Sequence, residues 1–292
     1  MRASMRHRAC TVLLTACVAL LAGAAWAGYP MRVKDARGRE ILIKAKPMRI
    51  VSLTPGNTEI LYALGLGDRV VGVTRYCDYP AAAKSKPKIG DMVVSTEAVI
   101  ARKPDLVFAH AHMNSTAIPA LEKLGLRVFA IDPKTLGEVA RDIRTVGKIT
   151  AKPKAADMAA AKIEGAIRAV RAAAAKRPSR KALLVVSSNP LWIAGPRTFV
   201  DEMLAVANAK NTAFDARPGF VTFSRELAIS RNPDVVITGQ KSDTDFFAKS
   251  PEWRTTNAVK SKRVYVIDSD LLFRAGPRLA DGLKELAGKV SY

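Results

Sequence analysis

Few side chains in this sequence are equipped for chemistry, and His110 and His112 stand out. They follow the apolar run Leu106-Val107-Phe108-Ala109, which reads as a strand, and the loops at strand ends are where open α/β sheets meet their ligands. As neutral imidazoles they are candidate ligands for a metal or a haem iron. Two histidines two residues apart, with no third donor beside them, are equally what an ordinary loop contains. No G-x-S-x-G, H-E-x-x-H or P-loop occurs, so the common sequence signatures of hydrolase, metalloprotease and nucleotide chemistry are missing. Gly65-Leu66-Gly67 with Gly72 misses the dinucleotide spacing and reads as a helix stop and a tight turn. An exported enzyme on a two-lobed scaffold is the rival reading. It would need a nucleophile paired with a base, and the sequence shows none.

Other expected strand-end loops carry Pro55-Gly56-Asn57, Tyr76, Trp192, Phe220-Val221-Thr222-Phe223 and the stretch from Asp270 to Arg274. Each aromatic alone is an ordinary core residue. Taken together, they put flat apolar faces in both halves of the chain, a wall for a large, partly apolar ligand.

These loops need elements to hold them. Arg49 to Leu53 reads as an apolar strand, Thr58 to Leu64 as a helix ending at Gly65, and Val70 to Val73 as a strand. Strand, helix, strand with continuously apolar strands implies a parallel sheet covered on both faces. Further strands are expected at Leu106–Ala109, Arg127–Asp132, Lys181–Val186, Asp234–Thr238 and Arg263–Asp268, and a closing helix from Pro277 to Lys289. Two segments recur. Ser95-Thr96-Glu97 and Pro104-Asp105-Leu106-Val107 answer Ser224-Arg225-Glu226 and Pro233-Asp234-Val235-Val236, and Arg127 to Asp132 answers Arg263 to Asp268, at offsets of 129 and 136. Two matches in the same order argue for a repeated α/β lobe. Between the copies lies Pro153 to Lys176, rich in alanine and opened by proline. It is a strong helix former, about 36 Å long at 1.5 Å per residue, with Ile163, Ile167, Val170 and Ala174 as its apolar stripe.

The expected organisation is therefore a signal peptide at 1–27, an N-terminal α/β lobe at 28–150, an interlobe helix at 151–178 and a C-terminal α/β lobe at 179–292. The fold class is α/β: two Rossmann-like lobes with mostly parallel central sheets, one long helix joining them, and a ligand cleft between.

Arg2, Arg6 and Arg8, the apolar run Thr11 to Ala25, and Ala25-Trp26-Ala27 before Gly28 form a secretory leader with its cleavage site. Leu14-Thr15-Ala16-Cys17 offers a lipoprotein site instead, but processing there would leave a long apolar tail. Loss of the leader lowers 47 basic residues to 44 against 26 acids, a net charge of +18. Basic residues are spread along the chain without a nucleic-acid motif, so a generally basic surface is expected, with no nucleic acid as partner. Only Cys77 survives cleavage. No internal disulfide is then possible, and a buried small residue is its ordinary role.

Ile50-Val51-Ser52-Leu53-Thr54-Pro55-Gly56-Asn57-Thr58-Glu59-Ile60, Gly72 to Pro80 and Lys103-Pro104-Asp105-Leu106-Val107 resemble the cobalamin-type, helical-backbone substrate-binding proteins of ABC importers. The resemblance runs from Arg49 to Leu286 and is strong for the family, whose framework is shared by haem and ferric-siderophore receptors. It implies two lobes bridged by one long helix, no catalytic cofactor, and a monomer that hands a corrinoid, or alternatively haem or a ferric siderophore, to an inner-membrane permease and ATPase. Pro55, in its strand-end loop, is expected to line the ligand; by the same resemblance Tyr76, Trp192 and Phe220 are expected to line it too, and Asp270 and Arg274 to meet corrin side-chain amides. Glu97 and Glu226, one per lobe, are expected to dock onto permease arginines. Met92 and His110 stand where cobalamin-binding members carry tryptophans, which makes His110 a candidate axial ligand to a metal in the bound molecule.

Overall fold

The computed structural model describes residues 28–91 and 93–291. The leader with its two expected processing sites, and Met92, lie outside the described residues. Two short strands, β1 (Met31–Lys34) and β2 (Glu40–Ile43), pair antiparallel. They alternate buried and exposed positions, so Val33, Ile41 and Ile43 face the core, the pattern of a sheet wetted on one side.

The first half then builds a parallel sheet in the order β4-β3-β5-β6 from β3 (Ile50–Ser52), β4 (Val70–Val73), β5 (Leu106–His110) and β6 (Val128–Ile131). β3 and β6 are buried throughout, as strands covered on both faces must be. The second half builds a mixed sheet in the order β10-β8-β7-β11-β12, with β9 also on β7. Its strands are β7 (Arg180–Ser188), β8 (Leu191–Ala194), β9 (Ala209–Asn211), β10 (Phe220–Thr222), β11 (Val235–Thr238) and β12 (Val264–Val266). β7 runs parallel to β9 and β11, and β11 to β12, while β8 and β10 are antiparallel additions.

The repeat seen in the sequence is repeated in space. Asp105 accepts from the backbone N–H groups of Met48 and Arg49 at 2.8 and 3.1 Å, and Asp234 accepts from that of Lys181 at 2.9 Å. Lys103 and Asn232, each just before the repeated proline, both take a left-handed backbone, at φ 46° and 49°. Each Pro-Asp pair thus ties the start of its own strand to the neighbouring strand.

The long helix spans Pro153–Ala174, 22 residues, or about 33 Å. It is not a free rod. Ala156, Ala160, Ile163, Ala166 and Val170 belong to one continuous core that takes in residues of both sheets and of the helices Leu136–Ile149 and Leu279–Ser291. The buried stripe is mostly alanine, and small side chains let helices approach closely. A Cβ on Gly147 would come within 2.2 Å of Ala156 Cβ, so the helices 136–149 and 153–174 meet there at a distance only glycine permits. Arg144 grips the long helix through Glu164 at 2.6 and 3.0 Å and Asp157 at 3.2 Å. Two smaller clusters, one around Val51 and Val107 and one around Val185 and Trp253, fill the outer faces of the two sheets.

Several expected loops are regular structure. The helix expected from Thr58 starts at Pro55, because Thr54 is extended at the cap and proline suits the first turn. Asp270 lies in a short helix, Ser269–Phe273, capped by Asp268, whose carboxylate accepts from Asp270 N–H at 2.9 Å; Arg274 follows directly. Phe220 to Thr222 form β10, and Trp192 lies within β8. Those residues have high strand propensity, but strands so short leave no periodicity to read. The helix Lys241–Lys249 has no counterpart among the expected elements, because its polar opening, Lys-Ser-Asp-Thr-Asp, hides the apolar pair Phe246-Phe247.

Candidate functional site

The ends of β3, β4 and β5 open into a cavity of about 200 Å³ whose walls include Leu53, Pro55, Thr74, Tyr76, Met113 and Asn114. All belong to the first sheet's half of the molecule. Tyr76 is 49% and Tyr79 46% exposed, which is unusual for rings of that size in a packed lobe. In the second half, Trp192 (43% exposed) and Phe220 (38%) lie on one face of the β8–β10 pair, since Phe220 pairs with Ala194 and Thr222 with Trp192. Phe220 is held edge-on by Phe199 and Phe273, with ring centroids 6.5 and 5.9 Å away. Exposed aromatic surface therefore occurs in both halves, as the sequence suggests for Tyr76, Trp192 and Phe220. Tyr79 is an addition. Its only signal in the sequence is its place three residues beyond Tyr76.

His110 is pinned. Its backbone N–H donates to Asn114 Oδ1 at 2.8 Å, Nδ1 faces the Met113 N–H at 3.4 Å, and Nε2 lies 3.5 Å from Asp132 Oδ1. Burial drives its pKa below the usual histidine value despite the Asp132 charge. Both ring nitrogens face protein partners, so serving as an axial ligand would require the ring to leave them. His112 is exposed two residues further on. Among the described residues no group of three or more His, Cys, Asp or Glu is arranged to hold a metal. Cys77 is buried, its Sγ 3.2 Å from Thr74 Oγ1, in the small-residue role expected of it.

The two halves touch at an ion cluster that the sequence discloses only in part. Glu59, on the helix Pro55–Ala63, accepts from Arg278 Nε at 2.8 Å and Nη2 at 2.6 Å, and from Arg274 Nη1 at 3.2 Å. Arg274 also meets Asp78 at 2.7 Å and Asp270 at 2.8 Å. The Glu59 side chain is 2% exposed. Burial alone would lower the Arg274 pKa, but hydrogen bonding to Asp78 and the Asp270 and Asp78 charges outweigh it and raise the value; that of Arg278 is raised first of all by its hydrogen bond to Glu59. Removing one partner from a buried pair of this kind costs about 3–5 kcal/mol. Beside the cluster the backbones also meet, for a Cβ on Gly56 would lie 2.9 Å from Ala275 O. Asp270 and Arg274, which the resemblance marks as residues that meet the ligand, lie within this cluster. Glu59 and Arg278 escape sequence reasoning because a Thr-Glu at a helix start and an arginine after Gly-Pro look like solvated charges until the two halves are docked.

Glu97 and Glu226 occupy equivalent positions. Each lies exposed in the first turn of a six-residue helix, Thr96–Ala101 or Arg225–Ser230. Each accepts from the hydroxyl of the capping serine, at 3.0 Å from Ser95 and 2.8 Å from Ser224. Hydrogen bonds from their own backbone N–H groups and then from these serines hold both carboxyls below the usual glutamate value, so both are charged at neutral pH and fixed in direction.

Residues 50–271 match the model of a family described as periplasmic binding protein. The chain is 38% identical over 270 residues to the uncharacterized ABC transporter substrate-binding lipoprotein YvrC of Bacillus subtilis, spanning 90% of this chain and 86% of that one. It is 28% identical over 246 residues to the vitamin B12-binding protein of Yersinia pestis, spanning 83% and 86%. Among solved structures it is similar to the periplasmic heme-binding protein RhuT of Roseiflexus sp. RS-1, with a TM-score of 0.74, 30% identity, and coverage of 83% of this chain and 97% of that one.

Proposed function

The chain belongs to the periplasmic binding protein family, and we propose that it captures a cobalamin-like corrinoid and delivers it to an ABC importer of the inner membrane. Membership alone makes it an ABC-transporter substrate-binding protein, in a family whose members are binding proteins rather than enzymes. The observation that carries the choice of ligand is the pairing of exposed aromatic faces, Tyr76 and Tyr79 on one lobe and Trp192 and Phe220 on the other, flanked by polar groups at Asp270 and Arg274. A flat, largely apolar macrocycle with a polar rim is the molecule those faces suit. The vitamin B12-binding relative of Yersinia pestis supports this reading, and the heme-binding neighbour supports haem as the second. The engagement of both His110 nitrogens weighs against haem held through that residue. Pro55 is proposed to line the ligand from the cavity wall, Met92 to contact it, and Glu97 and Glu226 to dock onto the permease.

In this reading the organisation is an N-terminal lobe, an interlobe helix and a C-terminal lobe at the boundaries given above, acting as a monomer in the periplasm after loss of residues 1–27. No helix among the described residues is long and apolar enough to cross a membrane. The Bacillus subtilis relative is a lipoprotein, which keeps Cys17 as the alternative processing site, and mass spectrometry of the exported protein separates the two. The ligand test is titration of the mature protein with cyanocobalamin, haemin and a ferric siderophore, read by tryptophan fluorescence and by each ligand's visible spectrum. Cyanocobalamin is expected to bind and to lose roughly tenfold or more in affinity on Trp192→Ala, in line with loss of one buried aromatic ring from the wall. A Soret shift with haemin and no response to cyanocobalamin would replace corrinoid with haem.

A further inference from the structure

We propose that Glu59 is a positioning residue that makes one edge of the cleft rich in hydrogen-bond acceptors, and that this edge selects ligands whose periphery carries N–H donors over ligands whose periphery carries carboxylates. The proposal rests on reading the cleft as the ligand site. It concerns what the cleft rejects, and assigns a role to a buried acid on the lobe opposite Arg274.

Arginine offers N–H donors and no acceptor, so an exposed Arg274 in a cleft would attract carboxylates. Here three acids already surround it. Nη1 is shared between Glu59 and Asp78, at 3.2 and 2.7 Å, and Nη2 goes to Asp270 at 2.8 Å with the Tyr76 carbonyl at 3.5 Å. Arg278 is held bidentate by Glu59 and lies 3.5 Å from Asp270. Glu59 therefore satisfies Arg278 and draws Arg274 toward the lobe boundary, where two further acids close on it.

What still faces solvent is the far side of those two acids. The Asp78 side chain is 47% exposed and that of Asp270 26%, and an ionised carboxylate has about four lone-pair sites, few of which the arginines fill. The cluster holds the three carboxylates of Glu59, Asp78 and Asp270 against the two guanidiniums of Arg274 and Arg278, an excess of one negative charge. The more distant charges offset one another: Asp78 senses Lys84, and Asp270 senses Asp268. A primary amide can donate N–H to Asp78 or Asp270. A carboxylate arriving at the same place must displace a protein acid from Arg274 and then lie against the others. Arg278 also stacks 3.9 Å from the centroid of Tyr79, so Glu59 orients part of the aromatic wall through the same guanidinium.

The test uses ligands that share a ring and differ only at the rim: dicyanocobinamide with amide side chains against dicyanocobyrinic acid with carboxylates, and haemin with both propionates converted to primary amides against haemin itself. The wild-type protein is expected to bind the uncharged-rim member of a pair about tenfold or more tightly, the scale of a single charge-assisted hydrogen bond. Asp78→Asn, at an exposed position, removes one negative charge from beside Arg274 and should narrow the ratio by roughly the same factor. Glu59→Gln should narrow it too, in a protein that circular dichroism shows to be folded. A ratio of affinities is insensitive to the fraction folded, so a merely structural role for Glu59 would leave it unchanged. Preference for the carboxylate member, or a ratio that Asp78→Asn leaves unaltered, would overturn the selection. Binding of the haem pair alone, with the amide still preferred, would overturn the corrinoid reading and uphold this one; binding of neither pair would overturn both.

Discussion

Among the described residues Asp142 has no hydrogen-bonding or ion-pair partner, and burial in the helix Leu136–Ile149, with the Glu138 and Asp132 charges adding and Arg141 opposing, pushes its pKa up to about 7. An acid whose native pKa is raised holds its proton when the unfolded chain has already lost it. Native stability then falls as pH rises from roughly 4 to 7 and is flat on either side. Scaled down for the partial exposure of the group, the effect is on the order of 2 kcal/mol. His110, with its lowered pKa, acts in the opposite sense near pH 6, so a comparison of variants is needed rather than one curve. Asp142→Asn is expected to raise the urea midpoint at pH 8, to leave it unchanged at pH 4, and so to flatten the profile between them. Equal effects at both pH values would refute the assignment. Single residues also show what a sequence conceals. Tyr76, Trp192 and Phe220 are legible because large aromatics near strand ends are conspicuous. Glu59 is not, since its partners lie 215 and 219 positions away.

Among the elements, the long helix is the easiest to read and the easiest to misjudge. Its alanine content, its opening proline and its basic end announce a helix, and Pro153–Ala174 is one. The expected stripe of Ile163, Ile167, Val170 and Ala174 names only part of the buried face, because Ala156, Ala160 and Ala166 look neutral in any hydrophobicity pattern and declare themselves only when Gly147 is seen against them. The repeat is legible for a firmer reason: a Pro-Asp pair with a left-handed residue before it is a local device that each lobe needs in order to start its strands. The mixed sheet is not, since nothing in a three-residue strand fixes its direction. Two glycines test this level. Gly165 lies inside the long helix, where an added Cβ would meet nothing nearer than Arg168 Nη2 at 4.0 Å. Gly165→Ala is therefore expected to stabilise by about 0.5–1 kcal/mol, measured by chemical denaturation. Gly56→Ala has no such room, as its Cβ would press on the Ala275 carbonyl at 2.9 Å. It is expected to weaken ligand binding while each lobe remains folded, and unchanged affinity would show that the backbones can part there freely.

At the scale of the molecule, two lobes are joined three times over: by a helix embedded in a common core, by the approach of Gly56 to Ala275, and by the Glu59–Arg274–Arg278 cluster. Relative motion that separates these would strand buried charge, so scattering curves with and without bound ligand are expected to superimpose closely, and a marked contraction would overturn that. The serine-capped glutamates lie one on each of these joined lobes. Charge reversal at both, Glu97→Arg with Glu226→Arg, is expected to abolish uptake in reconstituted vesicles and leave ligand affinity intact; normal uptake would refute the docking role. The linkage through Glu59 has a kinetic corollary. If the outline of the molecule hardly alters when the cleft fills, an empty molecule presents the same two acids at the same separation as a full one and competes for the same seat. Transport at a fixed supply of ligand should then climb with added protein, pass through a maximum and decline as unloaded copies crowd the importer. The stoichiometry of receptor to ligand, rather than affinity alone, would set the rate, and a monotonic rise to a plateau would show that the importer tells the two forms apart.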